Sequence, residues 1–155
     1  MKKIISFKKL LSISKKAKRE GKKITFTNGC FRIVTIAHAR YLQEARKYGD
    51  ILIVGLNSDS SARKLKGDSI VPEKQRAELL FPYADYIYIF SGYSPMPILK
   101  KLKPNFYIKG GDYKKERADK SGCREFVKSY GGKVVLTKLT LNVSTSKIIK
   151  RIKSS

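Results

Sequence analysis

Residues 23–57 read KITFTNGCFRIVTIAHARYLQEARKYGDILIVGLN, and this stretch decides the fold. Lys23 to Phe26 is β-branched and aromatic over a run too short for a helix, so it reads as a strand. Thr27-Asn28-Gly29 breaks that strand as a glycine turn. Ala37 to Tyr48 then sets Ala37, Tyr41, Leu42 and Ala45 on one helical face, and Gly49 stands where a C-terminal glycine cap would be. Ile51 to Leu56 is apolar without interruption, as in a central parallel strand covered on both faces. Strand, glycine turn, helix and strand make one βαβ unit.

The pattern continues in both directions. Ser6 reads as the N-cap of a helix bearing Phe7, Leu10, Leu11 and Ser14 to Ala17, ended by Gly21. After Leu56, Asn57-Ser58-Asp59 supplies a polar turn and a helix start, and Pro72 opens a helix over Glu73 to Leu80. Tyr86 to Phe90 is a third strand, Ser94-Pro95 caps a helix to about Leu102, and Phe106 to Ile108 is a short fourth strand. Gly122 to Tyr130 reads as a helix, Lys133 to Leu136 as a fifth strand, and Ser144 as the start of a terminal helix. Alternating strands and helices predict an α/β fold with a Rossmann-like five-stranded parallel sheet and right-handed crossovers. Residues 1–21 are expected to form an N-terminal helix packing on a domain of residues 22–153.

The chain has 155 residues, with 35 Lys or Arg against 12 Asp or Glu, a formal net charge of +23. That length is one domain's worth, and 41% hydrophobic residues furnish a single core. No apolar run reaches the length of a signal-peptide core or a membrane span, so a soluble cytoplasmic protein is expected. Cys30 and Cys123 are too few for a disulfide scaffold, and with the single His38 they lack the spacing of a metal module. The basic excess runs along the whole chain and attracts any polyanion without choosing among them. Nucleic acid enters through net charge alone, since no nucleic-acid-binding motif is present.

Ligands of parallel α/β sheets sit at the carboxyl ends of the strands, near the point where strand order reverses. That rule nominates Thr27 to Phe31, Asn57 to Asp59, Lys109-Gly110-Gly111-Asp112 and Asn142 to Ser146. Glycines there let backbone N–H groups approach a phosphate, and the following helix N-termini add positive field. Neither a Walker A sequence nor a G-x-G-x-x-G occurs.

Six segments in unbroken order carry a family resemblance: Phe26 to Phe31, Ile53 to Asp59, Arg63 to Gly67, Lys109 to Tyr113, Ser129 to Gly132 and Val143 to Thr145. Together they resemble the nucleotidyltransferase superfamily of cytidylyl- and adenylyltransferases. The Lys-Gly-Gly-Asp-Tyr segment is most similar to the heptose 1-phosphate adenylyltransferase branch. The resemblance implies transfer of AMP from ATP to a sugar 1-phosphate with release of pyrophosphate, in nucleotide-sugar and lipopolysaccharide core synthesis. It also implies Mg²⁺ accompanying ATP, and a homodimer. Two other outcomes stay open: a catalytically weak homologue that binds nucleotide or polyanion, and a cytidylyltransferase acting on another phospho-substrate.

Carried over residue by residue, the resemblance makes His38, Thr35, Lys66 and Arg76 the catalytic set, with Lys66 and Arg76 on the β- and γ-phosphates. Thr27, Asn28, Gly29, Cys30, Phe31, Lys109, Gly110, Asp112, Val143, Ser144 and Thr145 are implied to bind nucleotide, and no residue is assigned as a resident metal ligand. The departures fall in one place. The family's His-x-Gly-His reads Thr35-Ile36-Ala37-His38 here, its aspartate after the glycine-turn phenylalanine is Arg32, and its Glu-Gly before the last helix is Leu141-Asn142. Thr35 keeps a hydroxyl but carries no proton in catalysis, and losing one preorganised donor costs about a hundred- to a thousandfold in rate.

Overall fold

A computed structural model of the chain describes residues 3–110, 121–137 and 145–155. Five parallel strands, β1 (Ile24–Gly29), β2 (Ile51–Asn57), β3 (Tyr86–Phe90), β4 (Phe106–Gly110) and β5 (Lys133–Thr137), form one sheet in the order β3-β2-β1-β4-β5. The helices are α1 (Phe7–Glu20), α2 (Ile36–Arg46), α3 (Asp59–Lys66), α4 (Glu73–Leu80), α5 (Met96–Leu102), α6 (Cys123–Ser129) and α7 (Thr145–Ser154). The sheet moves outward from β1 in one direction through β2 and β3, then returns to the other side of β1 for β4 and β5. With right-handed crossovers, the two directions place their connecting helices on opposite faces.

Successive residues of β2 show why that strand is apolar throughout. Ile53 packs with Leu10, Ile13 and Ala17 of α1, Leu99 and Leu102 of α5, and Val127 of α6. Its neighbours Leu52 and Val54 face the opposite core, with Tyr41, Leu42 and Ala45 of α2 and Ala77 and Leu80 of α4. Fully burying one leucine contributes about 1.5–3 kcal/mol, and Leu10 is entirely buried, so α1 is anchored on the sheet. Its ends follow the sequence: the Lys9 N–H donates to Ser6 Oγ at 3.1 Å, and Gly21 takes the left-handed φ of 68°. The Ser14 hydroxyl donates to the Leu102 carbonyl at 3.1 Å and joins α1 to the end of α5.

The structure extends β4 to Gly110 and β5 to Thr137 and sets α2 at Ile36–Arg46, and two further differences from the sequence reading have a packing cause. Thr27-Asn28-Gly29 does not break β1: these residues stay paired with Val54, Gly55 and Leu56, because β2 is long enough to carry the ladder on. Gly49 does not cap α2 either. The cap residue is Lys47, and a Cβ on Gly49 would stand 2.6 Å from Thr25 Oγ1 and 2.9 Å from the Lys23 carbonyl oxygen, so close packing demands this glycine.

The register also places the functional end of the molecule. β1 pairs with β2 along its whole length, from Ile24 opposite Ile51 to Gly29 opposite Leu56. With β4 it pairs only at Thr25 opposite Phe106 and Phe26 opposite Tyr107, after which the two strands part. They part at the reversal of strand order, where a crevice is expected.

Candidate active site

A cleft of about 320 Å³ opens where β1 and β4 separate, lined by Asn28, Gly29, Cys30, Phe31, His38, Tyr41, Lys66 and Gly110. Tyr41 is the wedge. Its hydroxyl lies 2.6 Å from Thr27 Oγ1, and both hydroxyls reach the Ile108 carbonyl, at 3.1 and 2.9 Å. Each hydroxyl has one hydrogen, so one of the pair donates to the carbonyl and the other to its partner. Side-chain bonds thus stand where backbone ladder bonds would otherwise close the strands. A Cβ on Gly110 would meet the Tyr41 ring at 3.1 Å, so the wedge and the glycine belong together.

The turn after β1 forms the other wall. Phe31 is buried at a left-handed φ of 46°, its ring 5.2 Å from that of His38, and a Cβ on Gly29 would meet it at 3.1 Å. Asn28 Oδ1 accepts from the Tyr107 hydroxyl at 2.8 Å. Cys30 is a half-buried free thiol. Burial pushes its pKa up against the pull of Lys66, Arg76 and Arg32, so it stays protonated at neutral pH and packs rather than reacts.

His38 is set by the start of α2. Thr35 stands at the N-cap in extended backbone, and its N–H donates to His38 Nδ1 at 3.0 Å, with Thr35 Oγ1 at 3.3 Å from the same nitrogen. An accepting Nδ1 puts the proton of the neutral ring on Nε2. Burial lowers the His38 pKa below 6.5, so at neutral pH the ring is an uncharged Nε2–H donor. The positive charge in the cleft lining comes from Lys66, exposed in the last turn of α3.

Other expected site residues lie elsewhere. Arg76 does not line the cleft: it is 1% exposed, and its guanidinium donates to the carbonyls of Val71 at 2.8 Å, Asn57 at 2.9 Å and Cys30, and to Asp59 Oδ1 at 2.8 Å. Four of its five N–H donors are engaged in this way, and it ties the turn after β1 to the end of β2 and the start of α3. Thr27 is fully buried beneath the cleft, with its hydroxyl bound as described. Lys109 lies outside the lining, its Nζ 5.8 Å from the centre of the Tyr107 ring. Asp112, Val143 and Ser144 lie outside the described residues, and Thr145 opens α7. Tyr41 is the lining residue that the sequence reading used only as a core position; its place three residues after His38, on the same helical face, was the available signal.

Arg32 does not line the cleft. It is 7% exposed, and its Nη1 donates to both carboxylate oxygens of Asp68, at 2.9 and 3.0 Å, fastening the turn after β1 to the loop that follows Lys66. Among the described residues no carboxylate lines the cleft, and no three His, Cys, Asp or Glu side chains gather as a metal site.

Residues 26–151 match the cytidylyltransferase-like family model, a span that includes every cleft-lining residue. The chain belongs to the cytidylyltransferase-like family. Within it, this chain is 41% identical over 156 residues to the bifunctional protein HldE of Geotalea uraniireducens, an alignment covering 98% of this chain and 31% of that protein. It is 45% identical over 156 residues to the bifunctional protein HldE of Campylobacter jejuni subsp. doylei, covering 98% and 32%. The chain therefore spans about a third of the length of these cytidylyltransferase-like relatives. The fold is shared with the lipopolysaccharide core biosynthesis protein of Thermoplasma volcanium, at a TM-score of 0.63 and 24% identity over 79% of this chain and all of that one. Among the described residues no helix is long and apolar enough to cross a membrane.

Proposed function

We propose that this chain is an adenylyltransferase that moves AMP from ATP to a sugar 1-phosphate, heptose 1-phosphate by the likeness to HldE, and releases pyrophosphate. The observation that carries this reading is the cleft between the ends of β1 and β4, where His38, Lys66 and the two glycines Gly29 and Gly110 meet. A sugar phosphate oxygen attacking the α-phosphate in line leaves little covalent work for the protein. Alignment and charge stabilisation do the rest.

In this reading the Nε2–H of His38 donates to a phosphate oxygen, and Lys66 offsets the charge growing on the leaving pyrophosphate. Gly29 and Gly110 make room for the Phe31 and Tyr41 rings that shape the cleft in which the nucleotide sits. Arg76 acts from below, holding the Cys30 carbonyl and with it the turn that forms the wall. Mg²⁺ accompanying ATP would supply charge neutralisation on the phosphates. The described lining offers it no carboxylate, and no step here depends on it. A homodimer and a cytoplasmic location belong to the same reading.

A specific observation favours a slow catalyst as the second reading: Thr35 serves as a helix cap and Arg32 is sealed against Asp68, so neither supplies an ionisable group to the cleft. Titrating the protein with ATP and with CTP tests the binding half of the proposal. Tighter binding of ATP, weakened at least tenfold by Lys66→Ala, supports it; no nucleotide binding, or preference for CTP, removes the adenylyl assignment.

A further inference from the structure

The face built from α1, α5 and α6 is more basic than the one built from α2, α3 and α4. Across these helices stand ten Lys or Arg against Glu20 and Glu125: six on α1, two on α5 and two on α6. The helices α2, α3 and α4 together have nearly the same length, yet carry seven Lys or Arg against four acids. Arg76 pairs with Asp59 and Arg46 with Asp85 on that side, and Lys16 pairs with Glu20 on α1. The terminal helix α7 is basic as well, with four Lys or Arg and no acid.

The basic residues of α1 are all exposed, as are Lys100, Lys101 and Lys128. The Ser14 to Leu102 hydrogen bond sets the second half of α1 beside the end of α5, so their charges form one continuous surface. The cleft uses α2 and the carboxyl ends of β1 and β4, on the opposite side of the sheet.

The chemistry of the face selects its partner. A helix that lies in a membrane keeps an apolar stripe for the acyl chains. On α1 that stripe, with Leu10, Ile13 and Ala17, is already buried in the core. What remains outside on α1 is a rigid set of six point charges from Lys8 to Arg19, spanning about 17 Å at 1.5 Å per residue; at about one per 3 Å they are close to the spacing of about 3.4 Å between phosphates along one strand of a duplex. Lysines neutralise phosphates without reading bases. We infer that the α1, α5 and α6 face binds the phosphodiester backbone of nucleic acid without sequence preference and independently of the nucleotide cleft.

The test is fluorescence anisotropy of the full chain with a labelled duplex of about 30 base pairs, between about 50 and 200 mM salt. Neutralising about four phosphates gives a slope of about −3.6 in log K against log salt, hence roughly a hundredfold loss over that range. Lys15→Glu with Arg19→Glu is expected to weaken binding at least tenfold. Arg40→Glu with Lys74→Glu, an equal charge change on the other face, should cost less than about threefold, and ATP should not displace the duplex. Equal weakening by both pairs, displacement by ATP, or no binding at the lower salt would overturn the inference. So would tighter binding to phosphatidylglycerol vesicles that the α1 pair abolishes, which would give the face to a lipid surface. If a charge-reversed pair fails to fold, the milder Lys15→Gln with Arg19→Gln and Arg40→Gln with Lys74→Gln make the same comparison between faces. Because ATP titration is scored separately, failure here leaves the adenylyltransferase reading standing.

Discussion

The backbone N–H of Thr35 donates to Nδ1 of His38 across 3.0 Å, and this one bond sets which nitrogen of the imidazole serves the cleft. It also fixes the pH behaviour. Protonating Nδ1 would break the bond, and burial already lowers the pKa. His38 is the only histidine, so its ring protons can be followed by NMR without assignment. The titration midpoint should fall below 6.5; a midpoint at or above that value would contradict the geometry. Because the folded pKa is depressed, the unfolded chain binds the proton more readily. The His38 contribution to stability is therefore present above pH 6.5 and is lost as pH falls from there toward the folded midpoint.

Restoring the family residues is expected to require a fourth change. Thr35→His, Ala37→Gly and Arg32→Asp together rebuild the motif, but Arg32→Asp sets a carboxylate against Asp68, which now sits 2.9 Å from the guanidinium. Adding Asp68→Asn should raise both the melting temperature and the rate of the triple variant. If the triple variant alone melts as high as the native chain, the Arg32–Asp68 bond does not hold the loop after Lys66.

Arg76→Ala should destabilise the fold by about 3–5 kcal/mol, the cost of leaving several carbonyl acceptors and a part-exposed carboxylate without their partner. Here those are Asp59 and the carbonyls of Cys30, Asn57 and Val71. Arg76→Lys should not rescue it, since one ammonium cannot reach four acceptors around a planar fork. Chemical denaturation measures both. A loss of activity with unchanged stability would instead return Arg76 to the phosphates.

Gly49→Ala should cost about 1–3 kcal/mol through overpacking. The obstruction includes the Lys23 backbone carbonyl, which cannot swing aside as a side chain can. A thermal melt matching the native chain would show that β1 and the end of α2 yield.

Much of the fold was legible because apolar runs and caps are local signals: β3 is Tyr86–Phe90 as read, and Ser6 and Gly21 bound α1 as read. The extent of β1 was not legible, because Thr27 to Gly29 have turn chemistry and are held in the ladder by β2. At the site, position at a strand end was enough to nominate Asn28, Gly29, Cys30, Phe31 and Gly110, and the family resemblance added His38 and Lys66; all seven line the cleft. Residue type alone could not tell the exposed Lys66 from the buried Arg76, since that difference depends on which carbonyls the fold brings around a guanidinium. Tyr41 was read as core, and it is buried; its further role as a wedge needs the partner atoms of Thr27 and Ile108, contributed by β1 and β4.

The most direct measurement is pyrophosphate release by the purified chain with Mg²⁺, ATP and heptose 1-phosphate, beside His38→Ala. The account predicts release by the native chain, reduced about a hundred- to a thousandfold when the Nε2–H donor is removed. Equal rates from the native chain and His38→Ala would contradict it, and would mean that the cleft between β1 and β4 does not carry this chemistry.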